Sequence, residues 1–111
     1  MKLSARMKTL LKKLKSNLIL SHDEDDELLV GFIAAAVSYA EDRQHKPDGY
    51  YLKTNTKIRP TTEQAVIMLA SHFYESRDGS TGGFFADSPA AGRQVWETVN
   101  ALLRMNKEVA L

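Results

Sequence analysis

Apolar residues recur along most of this chain at three- and four-residue steps, the spacing that gathers them on one face of an α-helix. Met7, Leu10, Leu11 and Leu14 make the first stripe, with lysines between them, and predict an amphipathic helix over about 4–15 with Ser4 as its N-cap. The longest pattern runs from Ser21 to Arg43. It opens on acids and continues with Leu29, Phe32, Ile33, Ala36, Val37 and Ala40 as one stripe, Leu28 and Tyr39 lying at its edges. This predicts a long central helix over about 22–44. Ser21 and Glu24 have the spacing of a capping box, and Asp23, Asp25, Asp26 and Glu27 crowd the positive end of the helix dipole. Ala34, Ala35 and Ala36 are small enough to admit a neighbouring helix. Gly31, about 1 kcal/mol worse than Ala inside a helix, points to a close helix crossing there.

A third helix is expected over about 61–77, with Pro60 beside its first turn and Thr61 paired with Gln64 as a second capping box. Its buried face is Ala65, Val66, Met68, Leu69, His72 and Phe73. A fourth, over about 89–105, has Ser88 as N-cap, Pro89 at its first position, and Val95, Trp96, Val99, Leu102 and Leu103 as its apolar side. Two long connections separate these helices. His45 to Pro60 contains the turn Lys46-Pro47-Asp48-Gly49 and then Tyr50-Tyr51-Leu52, a brief extended segment whose tyrosines either tuck onto the core or wait for a partner. Asp78 to Asp87 is glycine-rich. The expected fold class is all-α: residues 1–111 as a single small bundle of about four helices, with a long central helix and two long loops.

Composition bounds what such a bundle can do. At 111 residues and 43% hydrophobic content the chain is long enough for one modest core, and oligomerisation is a common way to cover leftover apolar surface. No cysteine is present, which excludes disulfides and thiolate metal sites. The longest apolar run near the start, Leu18-Ile19-Leu20, is far short of a signal-peptide core, and no stretch reaches membrane-spanning length. A soluble protein made in the cytoplasm, with no membrane partner, is expected.

Charge alters the picture more. The net charge is +1, but Lys2, Arg6, Lys8, Lys12, Lys13 and Lys15 precede Ser21 without a single acid, and Asp23, Glu24, Asp25, Asp26, Glu27, Glu41 and Asp42 follow against Arg43 alone. Such a split favours self-complementary contacts, within one chain or between copies, over nucleic-acid binding by the whole chain. The simplest account of the first helix buries its leucines and leaves its lysines in solvent, those near its C-terminal end suiting the dipole. A membrane-surface helix and a phosphate-contacting arm are the alternatives.

Little in the chain asks for chemistry. Asp23-x-Asp25-x-Glu27 begins like a calcium loop, but the sixth position is Leu28 where such a loop needs glycine, and a helix fans successive carboxylates apart. No metal is expected. His72 reads as a hydrogen-bonded structural histidine, and neither His22 nor His45 stands at ligand spacing from it. The loop Asp78 to Asp87, DGSTGGFFAD, lacks the Lys-Ser/Thr of a P-loop and is not a dinucleotide fingerprint. Its Gly82, Gly83, Phe84 and Phe85 either fold back onto the core or anchor a partner surface. There is no nucleophile elbow and no zinc-protease motif. The sequence therefore assigns no catalytic residue, cofactor or metal, and an enzyme is not expected.

Several stretches resemble a known family. Leu14 to Leu29, LKSNLILSHDEDDELL, resembles the opening of phage head–tail connector (adaptor) proteins of the gp6-like type. There, a short helix ends in a Leu-Lys stretch and a hydrophobic pair, followed by an acidic cap and a helix starting with two aliphatics. Ile33-Ala34-Ala35-Ala36 and Tyr39-Ala40-Glu41 continue the likeness. Gln64 to Arg77, QAVIMLASHFYESR, is similar to the family's second signature, and Ala101-Leu102-Leu103 to its C-terminal helix. The connection from Lys46 to Pro60 is longer than is common there, and the segment before Met7 more basic.

The resemblance implies a structural, non-enzymatic protein at the head–tail junction of a phage or prophage virion, assembled in the host cytoplasm. It implies a homo-oligomeric ring, dodecameric in the virion, that sits under the portal and forms part of the DNA channel, passing DNA without sequence-specific binding. The implied partners are other copies of the chain, the portal protein and the next head-completion or tail protein. On this reading Lys8, Lys12, Lys13 and Lys15 are candidate protomer contacts to Asp23, Asp25 and Asp26 of a neighbour, and Gly82 to Phe85 a candidate docking loop. The competing class is a small helical DNA-binding regulatory protein, with the first or third helix as reader. The near-neutral charge, the acids beside the lysines and the lack of a compact helix-turn-helix pair stand against it.

Overall fold

The stripes become four helices in the computed structural model, which describes residues 3–53, 56–76 and 89–105. They are α1 (Ala5–Leu18), α2 (Asp26–Arg43), α3 (Pro60–Ser76) and α4 (Pro89–Met105), with a 3-10 turn at Tyr50–Leu52 between α2 and α3. No strand occurs among the described residues. The all-α class stands.

Each buried stripe follows the 3.6-residue period. Met7, Leu10, Leu11 and Leu14 of α1, Leu29, Ile33, Ala36, Val37 and Ala40 of α2, and Val99 and Leu103 of α4 all lie in one core. On α3 burial runs wider: Thr62, Ala65, Val66, Ile67, Leu69 and Ala70 are all covered, because α1, α2 and α4 each pack against this helix. Ser4 caps α1 as its spacing requires, its hydroxyl accepting from the Met7 N–H at 3.2 Å.

Helix starts elsewhere differ from expectation. α2 begins at Asp26, with Asp25 in the N-cap position and no side-chain cap bond. The Ser21–Glu24 capping box is not what starts this helix. The acids are drawn sideways instead, Asp23 and Asp26 to Lys15 and Asp25 to the Tyr74 hydroxyl. α3 starts at Pro60 itself, so Thr61 lies inside the helix, and the next threonine, Thr62, is the one that is buried. Ser88 and the Asp78 to Asp87 loop lie outside the described residues.

Helix ends share a device. Ile19 closes α1 with φ 58° and ψ 46°, and its backbone N–H bonds back to the Lys15 and Ser16 carbonyls, while the Leu20 N–H reaches Lys15 O at 2.9 Å. His45 closes α2 in the same way, with φ 58° and the Lys46 N–H on Glu41 O at 2.8 Å. Both are left-handed C-terminal caps of the kind glycine usually supplies. For a β-branched residue such as Ile19 that conformation is strained.

Gly31 sits on the solvent side of α2. Among the described residues no helix crosses there, and a Cβ added to it meets nothing within 4 Å. Of the three alanines only Ala36 faces the core, while Ala34 and Ala35 are exposed. Gly31→Ala is therefore expected to stabilise the protein by about 0.5–1 kcal/mol through helix propensity, seen as a higher thermal midpoint. A lower midpoint would mean the position is packed against something.

The connection after α2 is held by polar groups that the core encloses. Glu41, 1% exposed, accepts from the backbone N–H of Gly49 at 3.1 Å and of Tyr51 at 2.9 Å. Gln44 donates to Thr62 Oγ1 on α3 and to the Leu103 carbonyl on α4, both at 3.0 Å, and accepts from the Tyr51 hydroxyl. Tyr51 thus tucks onto the core within a helical turn, not an extended segment, and burial pushes its phenol above the ordinary value of 10.0. Tyr50 stays half-buried, edge-on to Tyr51, with the Lys46 ammonium 5.1 Å from its ring centre. From α1, Arg6 donates to the carbonyls of Tyr51 and Thr56 and straps the segment down.

Candidate functional site

Exposed charged residues stand at both ends of α2, among others elsewhere on the surface, and they differ in whether the chain already satisfies them. At the N-terminal end Lys15 lies 2.6 Å from Asp23 and 2.8 Å from Asp26. These pairings hold the Lys15 ammonium above its ordinary value of 10.5, and the Lys15 hydrogen bond holds Asp23 below 3.8. Lys13 reaches across to Glu63 of α3 at 2.6 Å. Asp25 accepts from Tyr74 at 2.5 Å. Of the candidate contact residues, Lys13, Lys15, Asp23, Asp25 and Asp26 therefore have partners within the chain. Lys8 and Lys12 are exposed and make no ion pair among the described residues.

Lys8 and Lys12 line a surface groove of about 430 Å³ together with Leu11 and Leu20. Ile19, 90% exposed, and Leu28, 41% exposed, are large apolar residues at this end of α2. Glu24 and Glu27 are exposed next to Leu28 and likewise make no ion pair among the described residues. Gly82, Gly83, Phe84 and Phe85, the candidate docking loop, lie outside the described residues.

At the other end of α2 a cleft of about 300 Å³ opens between the last turns of α2 and α4. Arg43, His45 and Arg104 line it with Asp42, Asn100 and Leu103. The packing that forms it is specific: Tyr39 donates to Asn100 Oδ1 at 2.7 Å and Gln44 ties to Leu103. Arg43 and Arg104 are exposed and unengaged in ion pairs among the described residues. Met105, 66% exposed, follows directly. Sequence reasoning missed this cleft. The one available signal was that each arginine falls in the last turn of its helix, where the dipole favours a cation.

Between the two ends, Phe32, Tyr39, His72, Phe73 and Trp96 pack as an aromatic cluster joining α2, α3 and α4, with Tyr39 and Trp96 edge-to-face at 5.2 Å. Burial pushes the His72 imidazole below 6.5, so at neutral pH it packs as an uncharged ring. No group of His, Cys, Asp and Glu that could hold a metal is found among the described residues, and none of their helices is long and apolar enough to cross a membrane.

What the arrangement offers is a rigid helical body with charged, partly apolar surfaces at separate places. No curated protein and no solved structure matches the chain. A family model does, over residues 8–90, from the first turn of α1 to the start of α4. The chain belongs to the phage gp6-like head-tail connector protein family.

Proposed function

We propose that this protein is a structural part of the phage or prophage head–tail junction, closing into a homo-oligomeric ring beneath the portal and lining part of the channel through which DNA passes. The family match over residues 8–90 carries this reading. The surfaces are in keeping with it. Exposed charged and large apolar side chains stand at both ends of α2, where contacts with several neighbours have room to form together.

The ring, of dodecameric size in the virion, presents one face to the portal and the other to the next head-completion or tail protein, with the loop from Gly82 to Phe85 as a docking element. DNA runs through it without sequence readout. The protein resides at the head–tail junction of the virion, after assembly in the host cytoplasm.

Electron micrographs of the purified protein, alone and with portal particles, test this. Closed rings that seat on the portal are the expected result. A monomer that binds duplex DNA with a steep salt dependence would overturn it in favour of a DNA-binding regulator. The pairing of Lys13 and Lys15 with acids of the same chain leaves α1 less charge to offer such a duplex.

A further inference from the structure

Three features of the surface belong together. Glu24 and Glu27 are exposed at the start of α2 and make no ion pair among the described residues. Arg43 and Arg104, equally exposed and unpaired there, rim the cleft between the last turns of α2 and α4, with His45. The third feature is apolar. Among the described residues the exposed large hydrophobic side chains are Ile19 and Leu28 at the acidic end and Met105 at the basic end, with none on the helix faces between.

We infer that these two ends are the two halves of one contact between copies of this chain: Glu24, Glu27 and Leu28 of one copy seat against Arg43, Arg104 and Met105 at the cleft of the next. The inference rests on the ring reading above and specifies its seam.

The spacing of the patches separates two symmetries. α2 has 18 residues, so at a rise of 1.5 Å per residue its ends are about 27 Å apart. Two copies with antiparallel α2 helices would use both patches at once, in a twofold contact that stops at a dimer. In the ring each patch meets a different neighbour, a heterologous, head-to-tail contact that repeats with the same rotation and closes when that rotation allows.

The lysine groove on α1 is a poorer acceptor. It lies beside the acidic patch, with Asp26 in its own lining, so pairing the two patches between copies would favour a reciprocal dimer. Its Lys15 is already held by Asp23 and Asp26. The cleft carries one opposing charge, Asp42, and remains net positive through Arg43 and Arg104.

Charge reversal in both directions tests the seam. One variant carries Glu24→Arg with Glu27→Arg, and the other Arg43→Glu with Arg104→Glu; sedimentation velocity on the full chain at low salt reads assembly, and circular dichroism checks folding. Each variant alone is expected to associate at least about tenfold more weakly than the unaltered chain. An equimolar mixture is expected to recover assembly, because every seam then joins an acidic end to a basic one. Neutral variants, Glu24→Gln with Glu27→Gln, give an intermediate loss and replace the reversed pair if that pair fails to fold.

Assembly of both reversed variants at the strength of the unaltered chain would overturn the seam and leave the ring standing. So would loss of assembly on Lys8→Glu with Lys12→Glu while the α2 variants assemble normally. An unaltered chain that stays monomeric at every concentration and salt would overturn seam and ring together.

Discussion

Replacing Glu41 with alanine is expected to destabilise the protein by about 2–5 kcal/mol, since one buried and one half-buried backbone donor lose their acceptor and each such group costs about 1–3 kcal/mol. For a chain of this length that is a large share of a total stability of roughly 5–15 kcal/mol. The carboxylate is 1% exposed, so the chain itself supplies these two contacts. Its two oxygens serve Gly49 and Tyr51 separately, Oε1 at 3.1 Å and Oε2 at 2.9 Å. Glu41→Gln keeps the shape and one acceptor but turns an NH2 toward the other backbone N–H, and a smaller loss of about 1–3 kcal/mol is expected.

Urea unfolding gives the free energies, and amide exchange locates the change. The Gly49 and Tyr51 amides are expected to lose protection in Glu41→Ala before the α1 and α3 amides do, because the turn is released first. A variant within 0.5 kcal/mol of the unaltered chain would show that the carboxylate does not hold the turn.

Glu41 also shows where the sequence stops being legible. In a linear reading it is one more acid near the end of a charged helix, grouped with Asp42 as surface. Its burial depends on a turn that folds back eight and ten residues later, and no periodicity announces that. Thr62 and Gln44 were hidden for the same reason: each is polar, and each is covered only because α2, α3 and the Tyr50–Leu52 turn converge on it. The apolar stripes were legible because helical period is local. Met7 to Leu14 and Leu29 to Ala40 land in the core as their spacing requires.

Charge was legible in sign but not in pairing. The basic first helix and the acidic run after it do complement each other, yet they do so largely inside one chain, through Lys15. α2 starts at Asp26, itself one of the Lys15 partners, and Glu24 and Glu27 make no ion pair among the described residues. Likewise, Arg43 and Arg104 share a cleft only because α4 returns alongside the end of α2. Residues of a surface are assembled by tertiary packing, and a single sequence carries no record of which helix ends will meet.

The adjacent leucines at the start of α2 separate fold from surface most sharply. Leu29 is fully buried and Leu28 is 41% exposed, one residue and about 100° apart on the helix. Leu29→Ala is expected to cost about 2–5 kcal/mol, the sum of lost transfer energy and the cavity left in the core. With Leu10, Leu14, Ile33 and Leu69 also fully enclosed, the surroundings are fixed by several helices at once and collapse into the gap only in part. A fall of this size lowers the thermal midpoint by roughly 4–8 °C for each kcal/mol in a domain near this size. Leu28→Ala, by contrast, is expected to leave monomer stability within about 0.5 kcal/mol while weakening association between copies. Melting of the two variants under monomeric conditions, followed by sedimentation at assembling concentrations, reads both effects. If Leu28→Ala melted as early as Leu29→Ala, the side chain would belong to the core. If it melted normally and assembled normally, its exposure would have no part in the contact, and the seam would rest on charge alone.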